Sequence, residues 1–151
     1  MRRDLIVQLG LFDVGLRGSE DFHLWLRLLK AGARIVSQKT PLYRYRRRTG
    51  SLTADEFWMN SRILESMQRA KETIPLSAEE CQALERHRRK IEAEMAAARG
   101  KDAFEKRQWS AAAGYYSEAH RLIPRIKLRA IVLLLQLCPA LLYSLTRRGK
   151  R

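Results

Sequence analysis

The chain has 151 residues, of which 46% are apolar, so it can bury the core of one domain or two small units and is not a disordered chain. Its formal net charge of +14 predicts attraction to polyanions, namely nucleic acid, anionic lipid head groups or phosphorylated substrates. Cys81 and Cys138 lie far apart, and the three histidines lack metal-ligand spacing. We therefore expect neither a disulfide framework nor a metal site built within this chain.

The first amphipathic helix is predicted to begin at Ser19, a good N-cap residue. Glu20 and Asp21 follow in the first turn, where the helix dipole favours anions. Gly32 is expected to end the helix as its C′ residue. Apolar residues at helical spacing predict a buried stripe made of Phe22, Trp25, Leu26 and Leu29.

The next stretch, ARIVSQKTPLYRYR, predicts a short strand, a turn near Pro41 and a second extended piece. In an extended piece, Arg44 and Arg46 share one face because alternate side chains point the same way. Such a charge run is also typical of a solvated basic turn, and both interpretations stay open.

Residues 56–124 are helical by pattern. A helix through FWMNSRILESMQRAKE is predicted to break at Ile74, because a residue that precedes proline disfavours helix. Ser77 and Glu80 then form an S-x-x-E capping box, which opens a long helix towards Arg99. The RHRRK run in that helix is most simply a solvated face.

A different pattern follows. Residues 93–126 resemble one helix-turn-helix unit of the tetratricopeptide repeat, a resemblance carried by Gly100, Trp109, Ala112, Tyr116, Ala119 and Pro124. A solenoid needs about three such units to bury its own core. We therefore expect a packing hairpin here and not a peptide-binding array.

The tail, residues 125–151, has an apolar segment from Ala130 to Leu145 that is interrupted by Gln136 and Pro139 and flanked by basic residues. This segment is too short for a membrane span, which needs about 20 mainly apolar residues. Two interpretations remain open: an interfacial helix on an anionic membrane, or a terminal helix packed on the hairpin.

The segment GLFDVGLRGSEDFHLWLRLLKAGARIVSQKTPLYRYRRRTGSLT resembles the end of the catalytic domain of inverting family-2 glycosyltransferases. The resemblance is carried, in order, by RRD and GLFD, the acidic pair before LWLRL, a following glycine, PLYRYR and S-L-T. It implies an α+β fold that is mainly α. Residues 1–55 would be the C-terminal segment of an α/β glycosyltransferase domain, with one helix and short strands, followed by a helical region at 56–124 and a tail helix at 125–151.

The resemblance also implies residue roles. Asp21 would be the general base that takes the proton from an acceptor hydroxyl as it attacks the anomeric carbon of a nucleotide-sugar, with inversion. Glu20 would support it, and Arg44, Arg46 and Ser51 would contact the donor diphosphate, for which guanidinium groups are suited. The alternative is that Glu20 and Asp21 are only first-turn acids.

The chain departs from this family because it contains neither a nucleotide-binding strand-turn-helix unit nor a D-x-D pattern. We therefore expect a fragment that is inactive alone and binds no cofactor alone; the complete enzyme would use Mg²⁺ or Mn²⁺. Its partners would be a nucleotide-sugar and a glycan or lipid-linked acceptor, at a cytoplasmic location that includes the inner face of the membrane if the tail binds there. The alternative function is a helical protein-interaction module that binds a protein partner or self-associates, whereas nucleic-acid binding ranks lowest.

Overall fold

The computed structural model describes residues 3–36, 38–44, 55–140 and 142–143. Six helices lie in these residues: α1 (Arg3–Gln8), α2 (Glu20–Lys30), α3 (Glu56–Thr73), α4 (Ala78–Glu105), α5 (Trp109–Leu122) and α6 (Ile126–Leu137). The chain divides into two compact units, Met1–Leu84 and Glu85–Arg151, with the division inside α4.

The predicted α+β fold is wrong, because the described residues form helices and no strand. Residues 33–36 and 38–44, where two extended pieces were expected, are irregular. A strand persists only beside a second strand that satisfies its N–H and C=O groups. Within the described residues, no extended segment pairs with residues 33–36 or 38–44. Their β-prone residues therefore stay irregular.

Helix α2 ends as its sequence predicts. Gly32 has a φ of +83°, and its N–H donates to the carbonyl of Leu29 at 3.0 Å. The next N–H, that of Ala33, donates to the carbonyl of Leu28 at 2.9 Å. These two bonds form a Schellman motif, which satisfies carbonyls that the end of the helix would leave unpaired.

The prediction of which face α2 buries is wrong in part. The residues it buries are His23, Leu24 and Leu28, on the side that packs against α3. Trp25 and Leu29, from the predicted stripe, are 43% and 47% exposed. Helix α2 is apolar on two sides, and helical spacing alone does not say which side meets a neighbour.

The break and restart between α3 and α4 are confirmed. Helix α3 ends at Thr73, directly before Ile74 and Pro75. The Ser77 N–H donates to Glu80 Oε2 at 2.6 Å, and the Glu80 N–H donates to Ser77 Oγ at 3.2 Å, which is the reciprocal pair of a capping box. Glu80 Oε2 also accepts from Lys30 Nζ at 2.7 Å, so the start of α4 is tied to the end of α2.

In the second unit, two helices joined by a short turn cover the range where a hairpin was expected. Helix α4 continues through Gly100 to Glu105, and after a short turn α5 begins at Trp109. A Cβ on Gly100 would lie 3.1 Å from three atoms of the Tyr116 ring, so glycine allows the close approach of α5. Ala112 and Ala119 are fully buried, because only small side chains fit at this helix contact.

Helix α6 packs against α5, with Leu135 buried beside Ala112 and Ala113. The inner face of α6 therefore packs as expected for a terminal helix on the hairpin. Among the described residues, no helix is long and apolar enough to cross a membrane. Cys81 and Cys138 are both free thiols.

The RHRRK run lies on an accessible face of α4, as predicted. Arg86, His87 and Lys90 are exposed. The half-buried Arg88 donates from Nη2 to Glu85 at 2.6 Å and is also bonded to Glu92 one turn on. These ion pairs within one helix hold the Arg88 side chain, and no bound ligand is needed to explain its position.

Candidate functional site at the start of helix α2

The loop that leads into α2 is held by side chains from the helices around it. Arg27 of α2 reaches back and donates to the carbonyl of Leu9 at 2.7 Å and to that of Leu11. Asp13 Oδ2 accepts from Arg69 Nε on α3 at 2.8 Å, and Asp13 Oδ1 accepts from the Gly15 N–H at 2.9 Å. The loop is therefore fixed at its beginning and at its middle.

The end of the loop is fixed by close packing on α3. Gly18 has a φ of +118°, and a Cβ there would lie 2.9 Å from Trp58 Cη2 and 3.2 Å from Arg62 Cγ. The backbone conformation and the contact both require glycine at this position. The Arg62 guanidinium lies over the Trp58 ring, 5.9 Å from its centroid, so the indole itself is held in place.

Ser19 stands at the N-cap position, but the predicted side-chain cap is wrong. Its φ is +59°, and its side chain makes no capping hydrogen bond. The Ser19 carbonyl instead accepts from Ser66 Oγ of α3 at 2.9 Å. The N–H of Phe22, in the first turn, donates to Asp21 Oδ1 at 2.7 Å.

Glu20 and Asp21 share the first turn of α2, with Glu20 half-buried and Asp21 exposed. Within the described residues neither carboxylate forms an ion pair. Asp13 and Glu80, by contrast, are both paired with cations, and these pairings hold their pKa values below the ordinary range of a carboxyl. Asp21 thus lies on an anchored helix, and no cation of the described residues pairs with its carboxylate.

His23 is a member of this region that sequence reasoning missed. It is 2% exposed, and its Nε2 lies 3.1 Å from Thr73 Oγ1. Because the Thr73 hydroxyl donates to the Arg69 carbonyl at 2.7 Å, its oxygen is left to accept, and Nε2 of His23 is the donor in this contact. Burial, followed by the positive charge of Arg27, lowers the pKa of His23. In the sequence, a lone histidine without metal-ligand spacing gives no indication that its side chain is buried.

Of the three predicted diphosphate contacts, Arg44 is the one that lies within the described residues. Arg44 is exposed in the irregular stretch at 38–44, and it makes no hydrogen bond or ion pair with Glu20 or Asp21 within the described residues. Arg46 and Ser51 lie outside the described residues, so their predicted roles stay predictions.

The described residues do not fit the Mg²⁺ or Mn²⁺ that the family resemblance implies. Across residues 3–36, 38–44, 55–140 and 142–143, no group of three or more acidic, histidine or cysteine side chains converges on one point. Asp13, the acid of the GLFD turn, is committed to Arg69 and Gly15.

An apolar cleft of about 1040 Å³ lies beside α2. Leu5, Trp25 and Leu28 line it together with residues 31–36. The exposed indole of Trp25 and the exposed side chains of Ile35 and Val36 give it an open apolar wall. Of the stripe that was expected to be buried, Trp25 faces this cleft.

Comparison of the chain with protein-family models, with curated proteins and with solved structures found no match.

Proposed function

We propose that the first unit supplies the general base of an inverting glycosyl transfer, and that this base is Asp21. The donor would be a nucleotide-sugar, and the acceptor a hydroxyl group placed at the start of α2. The proposal rests on the ordered resemblance from GLFD to S-L-T in the sequence. The observation that carries it further is the state of the Asp21 carboxylate, which is exposed, makes no ion pair within the described residues and lies in the first turn of an anchored helix.

A general base for a sugar hydroxyl needs an ionised group that is not neutralised by a permanent partner. It also needs a rigid support, because displacements of about 1 Å reduce the rate severely. Asp21 meets the first need, since no ion pair reaches it within the described residues. The bonds from Arg27 and Ser66 meet the second, because they fix the loop and the backbone on which the first turn of α2 is built.

Asp13 is a natural comparison because it is a further carboxylate of the same motif region. It accepts from Arg69 and from the Gly15 N–H, and both bonds belong to the loop anchor. A carboxylate bound in this way would lose its ion pair on taking a proton. Asp13 therefore positions the loop, and Asp21 is left for proton transfer.

The open face of α2 supports a site that is completed by contact with a further surface. Trp25 and Leu29 lie on this face, and the apolar cleft continues from it to residues 31–36. Exposed apolar patches of this kind are typical of interaction sites. The proposal covers only the acceptor side of the reaction, and it derives no step through a metal ion.

The test is a transfer assay on the chain in the assembly that it forms in the cells that make it. The tagged chain is purified under mild conditions and incubated with nucleotide-sugars and Mg²⁺ or Mn²⁺, and release of nucleoside diphosphate is followed. We expect the parent chain to release nucleoside diphosphate. Asp21→Asn should lower the rate of this release about 10²- to 10⁴-fold, the usual contribution of a general base. Asp4→Asn, which changes another exposed first-turn acid, is the matched control and should leave release unchanged.

The alternative function, a helical protein-interaction module, is favoured by the well-formed hairpin of the second unit and by the open apolar face of α2. The same purification separates the two. An assembly that retains a protein partner but turns over no nucleotide-sugar contradicts the catalytic proposal and favours the interaction module.

A further inference from the structure

Helix α6 has two apolar sides, and within the described residues only one of them packs against the rest of the second unit. Leu135 is buried against Ala112 and Ala113 of α5, and Ile131 packs beside it. This contact fixes how α6 is rotated about its own axis. The residues on its other side are therefore presented outwards by the packing of the second unit.

The outward side carries an apolar stripe that consists of Ile126, Ala130, Leu133 and Leu137. These positions recur at i, i+4, i+7 and i+11, which places them on one line along a helix. Ile126 is 81% exposed, Leu133 is 49% exposed and Leu137 is 76% exposed. The stripe runs for about 16 Å at the helical rise of 1.5 Å per residue.

Basic residues border this stripe. Lys127 follows Ile126 on one flank, Arg129 lies on the other, and both are exposed. The last acidic residue of the chain is Glu118, so the sequence from 119 to 151 contains eight lysines and arginines and no acid. A second copy of the chain would bring the same positive charge to this surface, and like charges oppose such a contact.

The positive charge therefore favours an anionic partner, and the apolar stripe favours a partner with a hydrocarbon boundary. The four stripe residues carry no polar side-chain group that would set the orientation of a protein partner. A fluid lipid boundary needs no such orienting polar group. A helix with one apolar side and basic flanks that binds such a boundary lies in the plane of the interface.

We propose that the outward stripe of α6 docks the chain onto an anionic phospholipid bilayer. Ile126, Leu133 and Leu137 enter the acyl boundary, and Lys127 and Arg129 contact lipid phosphates. The inner face of α6 stays on α5, so docking requires no unfolding of the second unit. This inference is independent of the catalytic proposal, because it concerns a different unit and a different kind of ligand.

The test is flotation of the full chain with vesicles of phosphatidylcholine, with and without phosphatidylglycerol. We expect binding to the anionic vesicles alone, with affinity that falls as NaCl is raised. Leu133→Gln/Leu137→Gln should weaken binding about 10-fold or more, because two apolar side chains leave the acyl boundary. Lys127→Gln/Arg129→Gln should also weaken it about 10-fold or more, by loss of two phosphate contacts.

Two matched variants control for composition. Val14→Gln removes a fully exposed apolar residue elsewhere, and Arg86→Gln/Lys90→Gln removes two exposed charges from α4; neither should change vesicle affinity. Circular dichroism checks that each variant keeps its helix content. The proposal is overturned if the stripe variants bind as the parent does, or if neutral vesicles bind equally well. It is also overturned if the stripe mediates a dimer, seen by sedimentation, while no vesicle is bound.

A label gives a second readout that does not depend on affinity. With Cys81 and Cys138 replaced by alanine, an environment-sensitive fluorophore is attached at Leu133→Cys or, as a control, at the exposed position Gln82→Cys. Anionic vesicles should brighten the first label and leave the second unchanged. Equal brightening at both positions, or none at Leu133→Cys, contradicts insertion of this stripe.

Discussion

Arg69 Nε lies 2.8 Å from Asp13 Oδ2, and this ion pair joins the loop before α2 to the middle of α3. The Asp13 side chain is only 15% exposed, whereas that of Arg69 is 46% exposed. The pair, together with the bonds from Arg27 to Leu9 and Leu11, holds the loop that leads into α2. The first turn of α2, which carries Asp21, follows this loop.

The first prediction concerns this ion pair. Asp13→Asn should lower the free energy of unfolding at pH 7 by about 1 kcal/mol, the upper range for a partly exposed pair. The bond from Arg69, and next that from Gly15, hold the pKa of Asp13 below its ordinary value of 3.8. The stabilisation is therefore present above pH 3.8 and is lost as the pH falls below it. Urea unfolding at pH 7 and near pH 3 checks this, and an equal difference at both pH values would contradict it.

The second prediction concerns His23. Its pKa is lowered by burial from the ordinary value of 6.5, so below pH 6.5 the unfolded chain binds a proton that the folded chain does not. Stability should therefore rise with pH up to 6.5 and fall as the pH drops towards the folded pKa. His23→Gln should remove this slope. His87→Gln, which changes an exposed histidine on α4, should preserve it, and a slope unchanged in His23→Gln would show that another group titrates.

The third prediction concerns Gly18, where glycine is required for two reasons. Gly18→Ala forces a side chain into a positive φ and places its Cβ 2.9 Å from Trp58. Gly10→Ala meets a positive φ of +83° but nothing within 4 Å, so it isolates the backbone cost of about 1–2 kcal/mol. Gly18→Ala should therefore destabilise the first unit by clearly more than Gly10→Ala in thermal unfolding. Equal losses would show that the Trp58 contact is relaxed without cost.

The fourth prediction uses two helical glycines of the second unit. Gly114 has nothing within 4 Å of a built Cβ, so Gly114→Ala should stabilise α5 by about 0.5–1 kcal/mol through helix propensity. Gly100→Ala gains the same propensity but brings a Cβ 3.1 Å from the Tyr116 ring. It should therefore be the less stable variant, by about 1 kcal/mol or more. Thermal melting of both measures the difference, and equal stability would mean that Tyr116 moves aside freely.

Features fixed by neighbouring residues were predictable from the sequence. The capping box of Ser77 and Glu80, the ending of α2 at Gly32 and the break at Ile74 all depend on hydrogen bonds or sterics within a few residues. Local chemistry decides them, so the sequence contains the whole signal. The sequence singled out Gly100 and Tyr116 as repeat positions, but their close contact was not predicted.

Features that depend on a distant partner were not predictable. The stretch at 33–36 has β-prone residues but no strand beside it in the described chain, so it is irregular. Helix α2 could have buried either apolar side, and contact with α3 selected Leu24 and Leu28 over Trp25 and Leu29. The burial of His23 follows from Thr73, 50 positions away, which no helical pattern reveals.

The role of Asp21 is the central claim, and a kinetic comparison within the purified assembly tests it most directly. Turnover of nucleotide-sugar and the concentration of donor at half-maximal rate are measured for the parent chain, Asp21→Asn and Asp4→Asn. A general base acts on the acceptor hydroxyl, so Asp21→Asn should lower turnover at least about 10²-fold and leave the donor concentration unchanged. Turnover in Asp21→Asn equal to that of the parent and of Asp4→Asn would contradict the account.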